Sequence, residues 1–276
     1  MGLYVTSNIA ALNAYRNLSS TQASQNSSLE KLSSGFRINR AADDAAGLAI
    51  SQGLQAQIGG LSVAVTNAQD AISVVQTADG ALTETQSILQ RMRNLAVQSA
   101  NGGSQDTTAQ AASQTEFAQL QTELDRIGNT TKFGNQKLLD GSFTGTFQVG
   151  ANNTTDDRID VDLTATAMTS SGLAVDGVSV ADTASAQDAI DAIDAAINTV
   201  STTRATLGAY QNRFQHTVNN LNVAVENLTA SNARIQDTDM ASEMVKFTQA
   251  QILAQAGTAM LAQANQQPSS ILKLLS

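Results

Sequence analysis

A seven-residue repeat of apolar side chains constrains the fold of this chain more than any other feature. From residue 54 to residue 89, apolar residues recur at alternating spacings of four and three, the pattern of helices that pack along one face. A second stripe with the same spacing runs from residue 186 to residue 235. With a rise of about 1.5 Å per residue, the first stripe, continued to about Ala100, predicts a helix roughly 70 Å long, and the second predicts one of roughly 75 Å. Two helices of nearly equal length can bury their stripes by packing against each other in antiparallel fashion.

The rest of the composition agrees with long helices. The chain has one proline in 276 residues, and interior proline is the residue that breaks helices most strongly, at a cost of about 3 kcal/mol. A third and shorter stripe follows a turn at Asn101–Ser104 and can fold back on the first helix. Its members are Phe117, Leu120, Leu124 and Ile127. We therefore predict a mainly α fold built as a long antiparallel helical coiled-coil bundle.

The region between the long helices has a different pattern. Residues 146–149 and 158–163 flank a polar, turn-rich segment, and the second of them alternates polar with apolar residues, which predicts a small β-hairpin. Residues 165–185 are predicted to be a loop with room for one more short strand. Residues 141–200 carry nine aspartates and one basic residue, Arg158. A solvated outer face explains this charge better than a metal site does.

The two ends of the chain are amphipathic but carry little apolar area. A helix of about 30 residues is marginal in water without a partner, so residues 3–32 and 240–276 need each other or another chain. We predict that these terminal helices pair as a coiled coil. Three regions follow: a terminal helical domain (1–43 and 236–276), a helical rod domain (44–140 and 186–235), and a β-hairpin and outer loop region (141–185).

The segment "LSSGFRINRAADDAAGLAIS", residues 32–51, lies between the first terminal helix and the first long helix. Its charges raise the possibility of a phosphate or metal site, but its place in the chain favours a connector. Gly35 is suited to end the first helix, and Asp43 or Asp44 to cap the second, where a negative charge meets the positive end of the helix dipole. Arg37 and Arg40 are expected to pair with carboxylates of the same chain or of a neighbour.

Other classes of protein are poorly supported. The chain has no cysteine and a single histidine, His216, so zinc sites built from these residues are excluded, and a Ser-His-Asp triad would have to use that one histidine. A net charge of −9 argues against general nucleic-acid binding, and no run of about 18 apolar residues is present to span a membrane. The start of the chain does not have the pattern of a classical signal peptide. We expect no enzymatic activity, cofactor or metal, and predict a structural subunit that associates with other copies.

The sequence also resembles a known family, bacterial flagellin. The resemblance is carried by "LEKLSSGFRINRAADDAAGLAIS" and "LQRMRNLAVQSAN" in the first half, and by "TRATLGAYQNRF" and "NARIQDTDMASEMVKFTQAQILAQAGTAML" towards the end. It implies a short flagellin without large outer domains, exported by the flagellar type III apparatus and assembled outside the cell into the filament used for swimming. An export chaperone, a cap protein and hook-junction proteins are its implied partners. A hook–filament junction protein is the alternative; a metallopeptidase flagellin is disfavoured because no His-Glu-x-x-His motif occurs.

The resemblance also implies roles for particular residues. The terminal helices and the connector are implied to hold neighbouring subunits together, and the helix around residue 90 is implied to contact Toll-like receptor 5. The predicted assembly residues are Leu32, Gly35, Arg37, Arg40, Asp43, Asp44, Ile252, Leu253, Leu261 and Leu272. The predicted receptor contacts are Gln90, Arg91, Leu95, Gln98 and Glu116.

Overall fold

The computed structural model describes residues 8–103, 106–164 and 167–275, with side chains described up to residue 266. Five helices and two antiparallel strand pairs occur in this part of the chain, so the mainly α prediction is confirmed. The helices are α1 (Ile9–Ser34), α2 (Ala45–Ser99), α3 (Thr107–Thr130), α4 (Thr183–Gln236) and α5 (Met240–Leu275). The strands are β1 (Lys132–Phe133), β2 (Gln136–Lys137), β3 (Thr144–Gln148) and β4 (Arg158–Asp162).

The chain divides into two compact units. The terminal unit comprises Met1–Ala56 and Asn227–Ser276, and the central unit comprises Gln57–Glu226. The long helices α2 and α4 contribute to both units. Their lengths of 55 and 54 residues agree with the two stripes of nearly equal extent in the sequence.

In the central unit, α2 and α4 run antiparallel. Arg93 on α2 forms a bidentate ion pair with Asp194 on α4, at 2.6 and 3.2 Å. Fourteen residues earlier on α2, Asp79 accepts a hydrogen bond from Arg204 at 2.8 Å. Because the partners on α4 follow in the opposite order, the helix directions must be opposite. The antiparallel bundle predicted from the stripes is confirmed.

The core of the central unit joins all three of its helices to the loop region. Large side chains from α2, α3 and α4 are fully buried there, together with two leucines that follow β2. They include Leu82, Leu89, Met92, Phe117, Leu124, Leu138, Leu139, Ile193, Leu207 and Phe214. Full burial of one such side chain stabilises a fold by about 1.5–3 kcal/mol.

Helix α3 follows α2 after a short turn, as predicted. Helix α2 ends at Ser99, just before the Asn-Gly-Gly sequence. Asp106 then caps α3, since its carboxylate accepts a hydrogen bond from the backbone N–H of Ala109 at 2.7 Å. Phe117, Leu124 and Ile127 of the predicted short stripe are buried.

The predicted β-hairpin is formed by β3 and β4. Thr144 pairs with Asp162 at one end of the ladder, and Gln148 pairs with Arg158 at the other. Buried and exposed residues alternate along β4, so the hairpin turns one face towards the core. The Phe147 ring on that face meets Phe214 of α4 edge to face, with centroids 5.6 Å apart.

The segment after the hairpin contains no strand within its described residues, 167–182, so the additional short strand is not found there. It is held instead by polar side chains of α3. Asp125 accepts hydrogen bonds from both the N–H and the hydroxyl of Ser170 at 2.7 Å. Gln121 donates to the carbonyl oxygen of Val175, and Gln114 accepts from the backbone N–H of Val180. These bonds satisfy backbone groups that have no ladder partner.

Candidate subunit-assembly site

The terminal unit is built around the pairing of α1 with α5. The side-chain amide of Asn8 donates to the carbonyl oxygen of Ala264 at 2.8 Å, and the Ser28 hydroxyl donates to the Glu243 carboxylate at 2.7 Å. The contacts run in opposite order along the two helices, so the helices are antiparallel. The predicted pairing of the terminal helices is confirmed.

The two helices meet along a heptad seam made mostly of small residues. On each helix the buried or half-buried positions follow one another at spacings of three and four. On α1 they are Ala11, Ala14, Leu18, Thr21, Gln25, Ser28 and Leu32, and on α5 they are Glu243, Phe247, Ala250, Ala254, Gly257, Leu261 and Ala264. The helices approach closely, because a Cβ atom placed on Gly257 would lie 3.2 Å from a methyl carbon of Leu18.

Large apolar side chains lie off this seam and are exposed. Those exposed by half or more are Ile9, Leu12, Tyr15 and Leu29 on α1, and Met244, Val245, Ile252, Leu253 and Met260 on α5. Each is at least 50% exposed, and we call this set the outward face. On α5 an open apolar groove runs between the side chains of Met244, Val245, Thr248, Gln249, Ile252 and Leu253. The seam thus consists mostly of small residues, while many large apolar side chains of the two helices are exposed.

The predicted assembly residues on the terminal helices divide between these two surfaces. Ile252 and Leu253 belong to the outward face, at 60% and 51% exposure. Leu32 and Leu261 are half-buried in the seam within the chain. The side chain of Leu272 lies outside the described residues.

The connector begins with a left-handed glycine, as predicted. Gly35 has φ +76° and ends α1, and its N–H donates to the carbonyl oxygen of Lys31 at 2.9 Å. The chain then forms a short antiparallel bridge between Phe36 and Asp237, at the junction of α4 and α5. The Arg37 guanidinium donates to the carbonyl oxygen of Ile235 at 2.6 Å. Within the chain, Arg37 thus binds a carbonyl oxygen at the C-terminal end of α4, where the helix dipole is negative, rather than a carboxylate. A carboxylate partner on a neighbouring subunit stays a prediction.

The adjacent aspartates have different roles. Asp44 caps α2, because its carboxylate accepts from the N–H of Gly47 at 2.9 Å. Asp43 accepts from the N–H groups of Asn39 and Arg40 at 3.1 and 2.9 Å, and these two backbone bonds, Arg40 first, lower the pKa of the Asp43 carboxyl. These hydrogen bonds hold the connector in a tight turn just before α2 begins.

Arg40 forms the ion pair that was expected of it, with Glu30 of α1 at 2.8 Å. Exposed pairs of this kind contribute about 0–1 kcal/mol. The Arg40–Glu30 pair therefore adds little stability, but it holds the connector against α1, the helix that precedes it.

A polar cleft of about 430 Å³ lies beside the connector, lined by charges of both signs that include Lys31, Arg37, Asp43 and Glu243. Mixed charge of this kind does not select one class of ion. In the part of the chain that the structure describes, no three His, Asp or Glu side chains are grouped to hold a metal. Among the described helices, none combines the length and apolarity needed to cross a membrane. The charges of the connector are accounted for by caps, turns and helix contacts.

One acidic side chain is buried in the seam. Glu243 is 6% exposed and receives hydrogen bonds from Ser28 on α1 and from Lys246 on its own helix. The pKa of Glu243 is lowered, first by the Ser28 hydrogen bond and further by Lys246 and the nearby Lys31. A buried carboxylate with these partners stabilises the pair only while it is ionised.

This burial predicts a pH dependence. A carboxyl whose pKa is depressed on folding stabilises the folded state above its unfolded pKa, and that contribution is lost as the pH falls through the folded pKa. The variant Glu243→Gln should therefore dissociate from filaments at a lower temperature than the parent at neutral pH, and the difference should shrink as the solution is acidified. Light scattering during heating measures both midpoints. The exposed Glu84→Gln serves as the control; a difference between Glu243→Gln and the parent that stays constant with pH would contradict this account.

The predicted receptor contacts lie on α2 and α3 of the central unit. Gln90 and Gln98 are exposed on α2, and Arg91 forms an ion pair with Glu116 of α3 at 2.7 Å. Leu95 differs from the others. It is 2% exposed and packs in the core, so its side chain cannot reach a partner while the helices are folded.

Sequence reasoning missed two groups of residues. Ser28 and Glu243 were not singled out, although both fall on a heptad spacing of small residues that was available in the sequence. Gln114, Gln121 and Asp125 share one face of α3 through spacings of seven and four, and this polar stripe was the available signal for a segment packed on α3.

The helices are paired through heptad repeats, the seam is made mostly of small residues, and large apolar side chains are exposed. These features are typical of structural proteins that associate with copies of themselves. Family models agree with this. The model of the bacterial flagellin N-terminal helical region matches residues 5–144, and that of the C-terminal helical region matches residues 190–275. The flagellin of Halalkalibacterium halodurans is 51% identical over 274 residues, covering 99% of this chain and 100% of the relative.

Two solved structures resemble the fold. The crystal structure of Bacillus cereus flagellin has a TM-score of 0.50 at 31% identity, covering 56% of this chain and 88% of that one. A Vibrio parahaemolyticus structure described as a flagellar hook-associated protein has a TM-score of 0.60, covering 71% of this chain and 100% of that one. At 13% identity it shows the fold alone and does not favour the hook-junction alternative.

This chain belongs to the bacterial flagellin family. It is a structural subunit that self-assembles into the extracellular filament of the bacterial flagellum, and it is not an enzyme.

Proposed function

We propose that the outward face of the α1–α5 pair is the surface through which each subunit joins the filament. The observation that carries this proposal is that small residues make up most of the seam, while Ile252, Leu253 and their neighbours are exposed. Exposed apolar surface such as the groove on α5 is typical of interaction sites. A second copy of the chain is the occupant, because the chain is a filament subunit.

The energetics support the same proposal. Small residues occupy most of the seam, and its four large apolar side chains (Leu18, Leu32, Phe247 and Leu261) are only half-buried, so the α1–α5 pair gains limited stability by itself. Covering Ile252 and Leu253 on assembly adds about 1.5–3 kcal/mol for each side chain. The terminal helices therefore gain most of their stability when neighbouring subunits cover them.

A double substitution tests the outward face. Ile252→Ser with Leu253→Ser removes two exposed apolar side chains and leaves the seam unchanged. We expect the critical concentration for polymerisation to rise about tenfold or more, since a factor of ten corresponds to about 1.4 kcal/mol. Seeded growth followed by light scattering measures it.

The matched control for this test lies on the same helix. Gln251→Ser with Gln255→Ser changes two exposed polar residues near the groove, and we expect the parent's critical concentration. If the Ile252/Leu253 variant polymerises like the control, another surface joins the subunits.

The functional division of the chain is part of the proposal. We place the terminal domain at 1–43 and 236–276, the rod domain at 44–140 and 186–235, and the hairpin region at 141–185. Support comes from the bridge between Phe36 and Asp237. It pairs the segment that follows α1 with the segment between α4 and α5, close to the two places where the chain passes between the terminal domain and the rod domain. In this scheme the terminal helices form the inner part of the filament, and the connector residues Gly35, Arg37, Arg40, Asp43 and Asp44 contribute to the contacts between subunits.

The outward face is also the proposed binding surface for partners other than a second copy of the chain. A subunit awaiting type III export carries its apolar groove uncovered, and an export chaperone that covers α5 would prevent premature association. Cap and hook-junction proteins are the proposed neighbours at the two ends of the filament. In each case the proposed contact is made by the terminal helices.

We also propose that an exposed patch formed by Gln90, Arg91, Gln98 and Glu116 contacts Toll-like receptor 5. The patch is supported by the Arg91–Glu116 ion pair, whose side chains are 53% and 44% exposed and so present charge of both signs to a partner. Leu95 supports the patch from beneath as part of the core.

A cell reporter assay tests this patch. Arg91→Ala with Glu116→Ala should weaken the receptor response about tenfold or more if the pair is central to the contact. Glu123→Ala with Arg126→Ala is a matched control, because it removes another exposed ion pair of α3. Equal responses from the two variants would exclude the patch.

A further inference from the structure

We propose that Met244 and Met260 form a reversible oxidation site through which peroxide-class oxidants stop a free subunit from joining a filament. This inference rests on the outward face proposed above and adds a chemical modification to it. The five methionines that the structure describes fall into two groups. Met92 and Met168 are 0% and 2% exposed in the central unit, while Met240, Met244 and Met260 are 47%, 50% and 64% exposed on α5.

The positions of Met244 and Met260 connect oxidation with assembly. Met244 lines the apolar groove together with Ile252 and Leu253. Met260 follows Leu253 by seven residues, two helical turns, and so lies on the same side of α5. Met240 is the first residue of α5 and does not line the groove.

The chemistry needs only an exposed thioether and the oxidant. A lone pair of the methionine sulfur attacks one oxygen of hydrogen peroxide, and the O–O bond breaks as an S–O bond forms. The proton on the attacked oxygen passes to the departing hydroxide, which leaves as water, and the sulfoxide S=O bond remains. The sulfur loses two electrons and the peroxide gains them. The product, methionine sulfoxide, replaces a flexible apolar side chain by a polar one.

The change in polarity makes the step a barrier to assembly. A sulfoxide oxygen buried without a hydrogen-bond donor carries a desolvation cost, so an oxidised groove disfavours the association that an unmodified groove favours. Before assembly the two sulfurs are exposed to oxidant. In the filament the same face is covered by neighbouring subunits, so oxidation acts on incoming subunits and spares those already in place.

The experiment uses full-length subunits dissociated from filaments. They are treated with hydrogen peroxide at a dose at which peptide mass spectrometry finds Met92 and Met168 unmodified. We expect sulfoxide at Met244 and Met260, and a critical concentration for seeded polymerisation about tenfold higher than before treatment. The same dose applied to intact filaments should leave both residues unmodified. Treatment of the oxidised subunits with the two methionine sulfoxide reductases, one for each epimer, should restore polymerisation.

Leucine variants separate this site from general oxidative damage. Met244→Leu with Met260→Leu keeps an apolar groove, so the variant should polymerise like the parent and keep polymerising after peroxide treatment. Met240→Leu is the matched control and should remain as sensitive as the parent. If the double variant is as sensitive as the parent, or if oxidised parent subunits polymerise normally, the proposal is overturned.

The oxidation site and the outward face can be refuted separately. Normal polymerisation by the Ile252→Ser/Leu253→Ser variant would refute the outward face. Impaired polymerisation by that variant, combined with normal polymerisation of subunits oxidised at Met244 and Met260, would refute the oxidation site alone.

Discussion

Removing residues 240–276 is expected to abolish filament formation completely and to leave a folded, soluble protein. The deletion takes away α5, and with it the partner of α1 and the larger part of the outward face. The central unit keeps its own core, because every buried side chain of that cluster lies between residues 68 and 218. Assembly and folding are thus predicted to depend on different parts of the chain.

Two measurements check this expectation. Electron microscopy after seeding should show no filaments, and circular dichroism should show a cooperative thermal transition close to that of the parent's central unit. Deleting residues 1–32 should have the same effect, since α5 then loses its seam partner. Filaments from either truncated protein would contradict the proposed role of the terminal helices.

The largest expected effect on stability comes from Phe117 of α3. Its ring is fully buried in the cluster that also contains Phe214 and Leu89. Phe117→Ala should lower the free energy of unfolding by about 3–5 kcal/mol, because both the transfer energy of the ring and the contacts lining the resulting cavity are lost. Chemical denaturation followed by circular dichroism measures the change.

A neighbouring surface residue provides the control for this measurement. Gln119→Ala lies two residues further along the same helix at an exposed position, and its effect should stay within about 0.5 kcal/mol. A loss of less than about 1 kcal/mol for Phe117→Ala would mean that α3 does not belong to the cooperative core.

Much of the fold could be predicted from the sequence because long apolar repeats are a direct physical signal. The stripes of α2 and α4 contain Leu82 and Leu207, whose burial requires a partner helix, and few other arrangements satisfy stripes of equal length. The ends of helices were predictable where a residue has a special backbone preference, as Gly35 does. The choice between Asp43 and Asp44 as the cap was not predictable. It depends on the turn before α2, in which the Asp43 carboxylate is already bonded to the backbone N–H groups of Asn39 and Arg40.

The less predictable features depend on weak or tertiary signals. Most positions of the seam between α1 and α5 are small residues such as alanine, serine and threonine, which show little hydropathy contrast with their neighbours, so the sequence does not predict the burial of Glu243. The carbonyl partner of Arg37 belongs to a residue almost 200 positions away, which no local pattern encodes. Leu95 was predicted from the resemblance as a contact, whereas it is 2% exposed and packs in the core, off the four-three spacing of the stripe.

The polar residues that interrupt the two long stripes have a consequence for folding. Arg204 donates to both Asp79 and Gln86, and Arg93 binds Asp194. A misaligned isomer in which α4 slips by seven residues would keep apolar residues facing apolar residues, so packing alone discriminates poorly against it. In one direction the slip would bring Arg204 beside Arg93, and in the other it would exchange Gln86 for Ile72; both slips would separate Arg93 from Asp194. These weak surface pairs therefore matter less for the stability of the native state than for excluding its nearest misfolded neighbours.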